Sequence, residues 1–174
     1  MTKPKQRIIE TATILFHQQG YNSTGINQII IEAKVAKASF YQHFRSKDDL
    51  CVAYLNERHL YWFSELTLYL SKFKERKKRI LSTFDFLIYM NRKENFRGCS
   101  FLNILSEISK DQDIILSIIQ SHKSDLRLLF KKELGEGLLA DHIYLLFESS
   151  IIESQLFQSN ELIEKSRAIA NNLL

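Results

Sequence analysis

Scarcity of glycine and proline is the feature of this sequence that most limits its fold. Of 174 residues, 5 are glycine and 1 is proline, so the chain spends little of its length on turns. Apolar residues recur every three or four positions, and no segment shows the alternation of a half-buried strand. The pattern predicts an all-α protein with about nine helices.

Composition excludes several classes of protein. The 12 Phe and 7 Tyr need a core, which excludes a mainly disordered chain. Two cysteines, Cys51 and Cys99, are too few for a secreted domain built on disulfides. Apolar runs such as 26–31 and 114–119 are far shorter than the ~20 residues of a membrane helix. We therefore expect a soluble, cytoplasmic protein that has no membrane partner.

Basic charge is concentrated at the start of the chain. Residues 1–47 contain seven Lys or Arg and two acidic residues, a net charge of +5, whereas the rest of the chain has a net charge of −1. Such an asymmetry indicates a polyanionic partner for the N-terminal part alone, although a solvated basic face is the simpler alternative.

Three helices are predicted in this basic region, and the last two are short and close together. They cover about 4–19, 25–33 and 37–44. A connection of three residues between short helices is typical of a helix-turn-helix motif. In the third helix Phe40 and Phe44 lie four residues apart and face inward, which leaves an outer face with hydrogen-bonding groups and a cation but no acid. That face suits DNA phosphates and base edges.

Residues 4–55 resemble the DNA-binding domain of the TetR family of bacterial repressors. The most specific segments are 8–12 (Ile-Ile-Glu-Thr-Ala), 39–44 (Ser-Phe-Tyr-Gln-His-Phe) and 46–50 (Ser-Lys-Asp-Asp-Leu). The resemblance implies a helix-turn-helix domain over residues 1–47, with the motif at about 25–44, and a helical ligand-binding and dimerisation domain over 48–174. It also implies a homodimeric transcriptional repressor that binds a palindromic operator in double-stranded DNA and is released by a small-molecule inducer.

The resemblance also assigns contacts with DNA to positions of this chain. The implied DNA-binding residues are Thr24, Asn27, Gln28, Lys37, Ser39, Tyr41, His43 and Lys47. Thr24 is expected to cap the second helix near a phosphate, and Lys47 to anchor a phosphate at the start of the fourth. Two positions depart from the family pattern. Lys34 stands in the turn where Gly is common, and Ala36 stands where Ser or Thr usually caps the third helix.

The predicted eighth helix, at about 138–158, has two apolar faces. A helix that is apolar on two sides needs a partner on each. We expect a twofold four-helix interface made by this helix and the ninth from each subunit; the alternative is burial of both faces within one subunit. The predicted interface residues are Phe147, Ile151, Ser154, Leu162 and Ile169; a second face carries Leu145, Ser149, Ile152 and Leu156.

A ligand pocket is harder to place. The segment 98–103 (Gly-Cys-Ser-Phe-Leu-Asn) resembles one found beside the pocket in many TetR-family members. Candidate pocket residues are Tyr61, Trp62, Phe86, Cys99 and Asn103. An aromatic lining would suit an apolar or aromatic inducer, but each of these residues could equally be core. Cys99 as a redox sensor is a further alternative.

Patterns typical of enzymes are missing from the sequence. The five histidines are scattered without metal-ligand spacing, and no nucleophile elbow or phosphate loop is recognisable. We therefore predict no enzymatic activity, no cofactor and no metal site. Two other functions remain open: a helical adaptor with a vestigial helix-turn-helix, and a transcriptional activator or nucleoid-type binder.

Overall fold

Helices account for nearly all of the regular structure. The computed structural model describes residues 3–174, and within that range there are nine helices and no strand. The helices are α1 (Pro4–Gln19), α2 (Ile26–Glu32), α3 (Lys37–His43), α4 (Lys47–Leu70), α5 (Arg76–Glu94), α6 (Ser100–Leu105), α7 (Asp113–Leu134), α8 (Leu138–Phe157) and α9 (Glu161–Leu173). The all-α prediction is confirmed.

The helices predicted at 4–19, 25–33, 37–44 and 138–158 agree with α1, α2, α3 and α8 to within a residue. The sequence also predicts a loop over the polar stretch 91–98 and a sixth helix over 99–108, and there α5 and α6 differ. In the structure α5 continues to Glu94 and ends at Asn95 in the left-handed conformation (φ 51°). Arg92 and Lys93 are well placed in the last turn because cations there oppose the negative end of the helix dipole. The sixth helix is shorter than predicted and stops at Leu105.

The chain forms two compact units. One comprises residues up to Leu60 together with Ser100–Gln120, and the other comprises Tyr61–Cys99 and Ser121–Leu174. In the first unit, α1, α2 and α3 pack around Ile8, Ala12, Phe16, Ile29 and Phe40. In the second unit, α5, α8 and α9 pack against one another. Since α4 and α7 each contribute residues to both units, the predicted domain boundary at 47/48 stays a prediction.

The turn between α2 and α3 holds a strained residue. Lys34 has φ 52°, in the left-handed region, and its backbone N–H donates to Ile31 O at 3.1 Å. Ala36 is the N-cap of α3 and makes no side-chain cap bond. Both departures from the family pattern are therefore real features of the motif, and Lys34 should cost about 1 kcal/mol relative to glycine.

Lys34→Gly is expected to raise the free energy of unfolding by about 1 kcal/mol, because glycine adopts a positive φ without steric cost. Urea unfolding followed by circular dichroism measures the change. Lys37→Gly is the matched control, since it removes the same charge at the start of α3, where the backbone is helical. It should lower the free energy of unfolding by roughly 0.5–1 kcal/mol. A Lys34→Gly variant no more stable than the wild-type protein would show that the positive φ of Lys34 costs no stability.

Candidate nucleic-acid interface

The third helix presents a polar face because its two phenylalanines anchor the opposite side. Phe40 and Phe44 are buried, with ring centroids 6.0 Å apart. Lys37, Tyr41 and His43 are exposed and Ser39 is half-buried, so all four stand on the outer side of the motif. This is the distribution that the spacing of the phenylalanines predicts. Whether these side chains contact DNA stays a prediction.

Residues at the start of α2 differ from expectation at one position. Thr24 is fully buried and its Oγ1 donates to Gly20 O at 2.6 Å, while the N-cap of α2 is Gly25. The prediction that Thr24 caps α2 is therefore wrong: its hydroxyl closes the α1–α2 loop. Asn27 is exposed, whereas Gln28 is half-buried and donates from Nε2 to Glu32 Oε1 at 2.9 Å.

Lys47 lies at the junction of the α1–α2 loop and α4. Its Nζ donates to Tyr21 O at 3.1 Å and to Thr24 O at 3.3 Å, and it sits 4.1 Å from the centroid of the Tyr21 ring. Ser46 caps α4, since its Oγ accepts from the Asp49 N–H at 3.0 Å. The Lys47 ammonium is thus held at a defined place beside the motif.

The two cysteines have different surroundings. Burial, together with the charge of Asp48, raises the pKa of Cys51 to about 12, so this thiol stays protonated and unreactive at neutral pH. Cys99 is half-buried, and Lys123 Nζ lies 3.5 Å from its Sγ.

Lys123 and Glu148 form a buried ion pair that sequence reasoning missed. Lys123 Nζ donates to Glu148 Oε2 at 2.7 Å and to Oε1 at 2.9 Å. Burial alone would lower the pKa of Lys123, but the neighbouring Cys99 and Glu148 outweigh burial and raise it. The signal was present in the helical period: Lys123 falls among the buried positions Ile119, Leu126 and Phe130 of α7.

Most of the predicted pocket residues are packed rather than open. Trp62 and Phe86 are buried with ring centroids 5.2 Å apart, while Tyr61 is half-buried and lies under Lys93 Nζ at 5.1 Å. Cys99 belongs to the same compact unit as these aromatics, but Asn103 belongs to the other. A groove of about 420 Å³ in the unit is lined by Tyr69, Asp85, Ile88, Tyr89 and Arg92, and by none of the predicted residues.

The predicted dimer residues divide between core and surface. Phe147, Ile151 and Ser154 are buried within the single subunit, and their assignment to a dimer interface stays a prediction. Leu162 and Ile169 of α9 are exposed. The second face of α8 is also exposed, which excludes burial of both faces within one subunit. Seven exposed apolar side chains of these two helices are together called the α8–α9 face: Leu145, Ile152, Leu156, Phe157, Leu162, Ile169 and Leu173.

The described residues contain neither a metal-binding cluster nor a membrane-spanning helix. Over residues 3–174, no three His, Cys, Asp or Glu side chains are grouped so that they could hold a metal ion. In the same part of the chain, no helix is long and apolar enough to cross a membrane.

Comparison with known proteins gives a family for this arrangement. Residues 8–54 match the model of the bacterial regulatory proteins of the tetR family. The uncharacterised regulator YuxN of Bacillus subtilis is 46% identical over 56 residues, which cover 32% of this chain and 19% of that protein. The repressor DhaR of a Mycobacterium species is 24% identical over 182 residues, covering 94% of this chain and 88% of DhaR. The match to YuxN thus spans about a fifth of that relative's length.

Solved structures extend the likeness to the whole fold. The TetR-family regulator SCO4454 of Streptomyces coelicolor superposes with a TM-score of 0.80 at 25% identity, over 98% of this chain and 93% of that one. Together with the match over residues 8–54, which contains the short α2–turn–α3 motif, this likeness shows that the chain is a helix-turn-helix transcriptional regulator of the TetR family.

Proposed function

We propose that the protein is a transcriptional repressor that binds a palindromic operator as a homodimer and leaves it when a small molecule binds. The observation that carries the proposal is the outer face of α3, where Lys37, Ser39, Tyr41 and His43 stand around the anchored Phe40. A helix with such a face enters the major groove, and Lys47 at the start of α4 would bind an adjacent phosphate. Cytoplasmic localisation follows from this function.

Support for a homodimer comes from the α8–α9 face. Its seven side chains expose apolar area to water, which is unfavourable, and contact with the same face of a second copy would bury that area. Within one subunit, α8 and α9 pack against each other, and the buried small residues Ser150 and Ser154 of α8 and Ser166 and Ala170 of α9 suit that close packing. To read a palindrome whose half-sites are one turn apart, the two α3 helices of the dimer must lie about 34–36 Å apart.

Support for an inducer site comes from the aromatic cluster around Trp62 and Phe86. An apolar or aromatic ligand that entered this cluster would have to separate packed rings, so it would favour one conformation of the second unit over another. Release from DNA would then follow from its different affinity for the two conformations. A ligand that binds the DNA-free conformation more tightly than the DNA-bound one would act as the inducer.

Selection of duplexes from a random DNA pool at near-physiological salt tests the proposal. A repressor should enrich a palindrome whose half-site centres are one turn apart. Binding without enrichment would favour a charge-driven, nucleoid-type role, and no binding at all would favour a vestigial motif in an adaptor. Transcription from the selected operator, measured with and without the protein, separates a repressor from an activator.

Tyr41→Phe and Lys47→Ala are each expected to weaken DNA binding by about tenfold, the value of one lost phosphate hydrogen bond. For Lys47→Ala the slope of log affinity against log salt should also fall by about 1, because one fewer cation is released. Fluorescence anisotropy of a labelled duplex, titrated at salt concentrations from about 50 to about 200 mM, measures both the affinity and its dependence on salt.

Tyr89→Phe is the matched control for Tyr41→Phe, because Tyr89 is a comparably exposed tyrosine in the other unit. It should bind DNA like wild type. Wild-type affinity for both Tyr41→Phe and Lys47→Ala would show that the assigned contacts are wrong.

A further inference from the structure

We propose that Glu107 and Gln112, in the connection between α6 and α7, are positioning residues for DNA binding: they hold the α1–α2 loop and, through it, Lys47. The proposal rests on the proposed function, because it concerns the same DNA-binding surface. Glu107 and Gln112 lie outside the helix-turn-helix motif, and each is more than 80 positions along the sequence from the loop residue that it contacts. All of the contacts involved lie within one compact unit.

Glu107 forms two hydrogen bonds with Asn22. The Asn22 backbone N–H donates to Glu107 Oε2 at 2.6 Å, and Asn22 Nδ2 donates to the Glu107 backbone carbonyl at 2.9 Å. The bond to the Glu107 carboxylate has an ionised acceptor, which is the stronger kind of hydrogen bond, and the second bond, to the backbone carbonyl, fixes the orientation of Asn22 as well. Asn22, which lies in the loop between α1 and α2, is therefore held by the α6–α7 connection.

Gly20 leaves the space that the Glu107 carboxylate occupies when it binds Asn22. It has φ 91°, and a Cβ built there would lie 2.6 Å from Glu107 Oε1. Only glycine combines this backbone conformation with such a close carboxylate. The loop is thus shaped to receive Glu107.

Gln112 contacts Tyr21, the residue between Gly20 and Asn22 in the same loop. Its Nε2 donates to Tyr21 Oη at 3.1 Å, and that hydroxyl in turn donates to the Asp48 carboxylate. Burial of Tyr21, together with Asp48, raises the pKa of the phenol, so it remains a donor at all ordinary pH values. The chain of contacts therefore runs from the α6–α7 connection through Tyr21 to the first turn of α4.

Lys47 is held by the other side of the same loop. The two carbonyls that accept from its Nζ belong to Tyr21 and Thr24, on either side of Asn22 in the loop that Glu107 and Gln112 hold. Releasing Glu107 would let the loop move and would leave Lys47 without a fixed place. A phosphate would then have to order the lysine on binding, and affinity falls when a contact must be ordered first.

The test compares Glu107→Ala with Asp111→Ala. Both remove one carboxylate from the same connection, but Asp111 bonds to Ser109 and not to the α1–α2 loop. Removing a negative charge alone should leave DNA affinity unchanged or raise it slightly. Glu107→Ala is instead expected to lower affinity about fivefold to tenfold for the selected duplex, or for an arbitrary 30-bp duplex at low salt, and Gln112→Ala about threefold.

A double-mutant cycle with Lys47→Ala shows whether Glu107 acts through that lysine. In the Lys47→Ala background, Glu107→Ala should cost little or no further affinity, because the group that it positions is gone. Glu107→Gln, which can still accept from the Asn22 N–H, should restore most of the affinity. Melting temperatures of all variants separate a folding defect from a binding defect.

Each outcome decides a different question. Failure of the wild-type protein to bind any duplex would overturn the proposed function itself. Wild-type binding, together with a Glu107→Ala variant that loses melting temperature but keeps its affinity, would overturn the positioning role alone. A loss of affinity that remains undiminished in the Lys47→Ala background would overturn it too, since Glu107 would then act elsewhere.

Discussion

Leu156→Glu is expected to convert a dimer of this protein into monomers. Leu156 is 67% exposed in the single subunit, lies one helical turn after Ile152 and belongs to the α8–α9 face. In a twofold interface each substitution appears twice, so two carboxylates would be buried without partners. At about 2–3 kcal/mol for each, the dissociation constant should rise by about three to four orders of magnitude.

Sedimentation equilibrium at micromolar concentration measures this change directly. Leu68→Glu is the matched control, because Leu68 has the same 67% exposure in the same unit but lies on α4. That variant should stay dimeric. Operator binding gives a second readout: monomers of Leu156→Glu should lose most of their affinity for a two-half-site duplex while retaining that for nonspecific DNA. A dimeric Leu156→Glu protein would place the interface elsewhere.

Glu148→Ala is expected to destabilise the second unit by about 3–5 kcal/mol, the usual cost of removing one partner of a buried ion pair. The side chains of Lys123 and Glu148 are only 11% and 14% exposed, so the lysine left behind would be largely shielded from water, with Cys99 Sγ as a neighbour but without its carboxylate partner. The cost is that of the unpaired charge, and it exceeds what the pair contributes in the wild-type protein. Urea unfolding measures it.

The loss should depend on pH in a defined direction. With Glu148 present, the pKa of Lys123 is raised, so the stabilisation is complete at neutral pH and is lost only as pH rises through that value. Without Glu148, burial favours the neutral amine, so the deficit of the variant should be largest at neutral pH and shrink above about pH 10. Glu136→Ala, which breaks the exposed pair with Lys131, is the control and should cost at most about 1 kcal/mol. An equally small loss for Glu148→Ala would contradict the argument.

Local sequence signals were sufficient for the helices and for the face of α3. Helix ends depend on glycine, on capping side chains such as Ser46 and on the few residues around each end, all of which can be seen within a short window. The four-residue spacing of Phe40 and Phe44 likewise determines which side of α3 points outward. The resemblance over residues 4–55 added the family, because its segments are short and contiguous in the chain.

Only the tertiary structure decided which apolar face of α8 is core. Both faces have the same helical period, and periodicity reports that a side is apolar without saying what covers it; packing placed Phe147 inside and Leu156 outside. Periodicity places Lys123 on the buried side of α7, but its pairing with Glu148 and the contact of Glu107 with Asn22 depend on the tertiary structure. Each joins residues 25 or more positions apart, and no rule of local spacing relates such residues until the helices between them have packed.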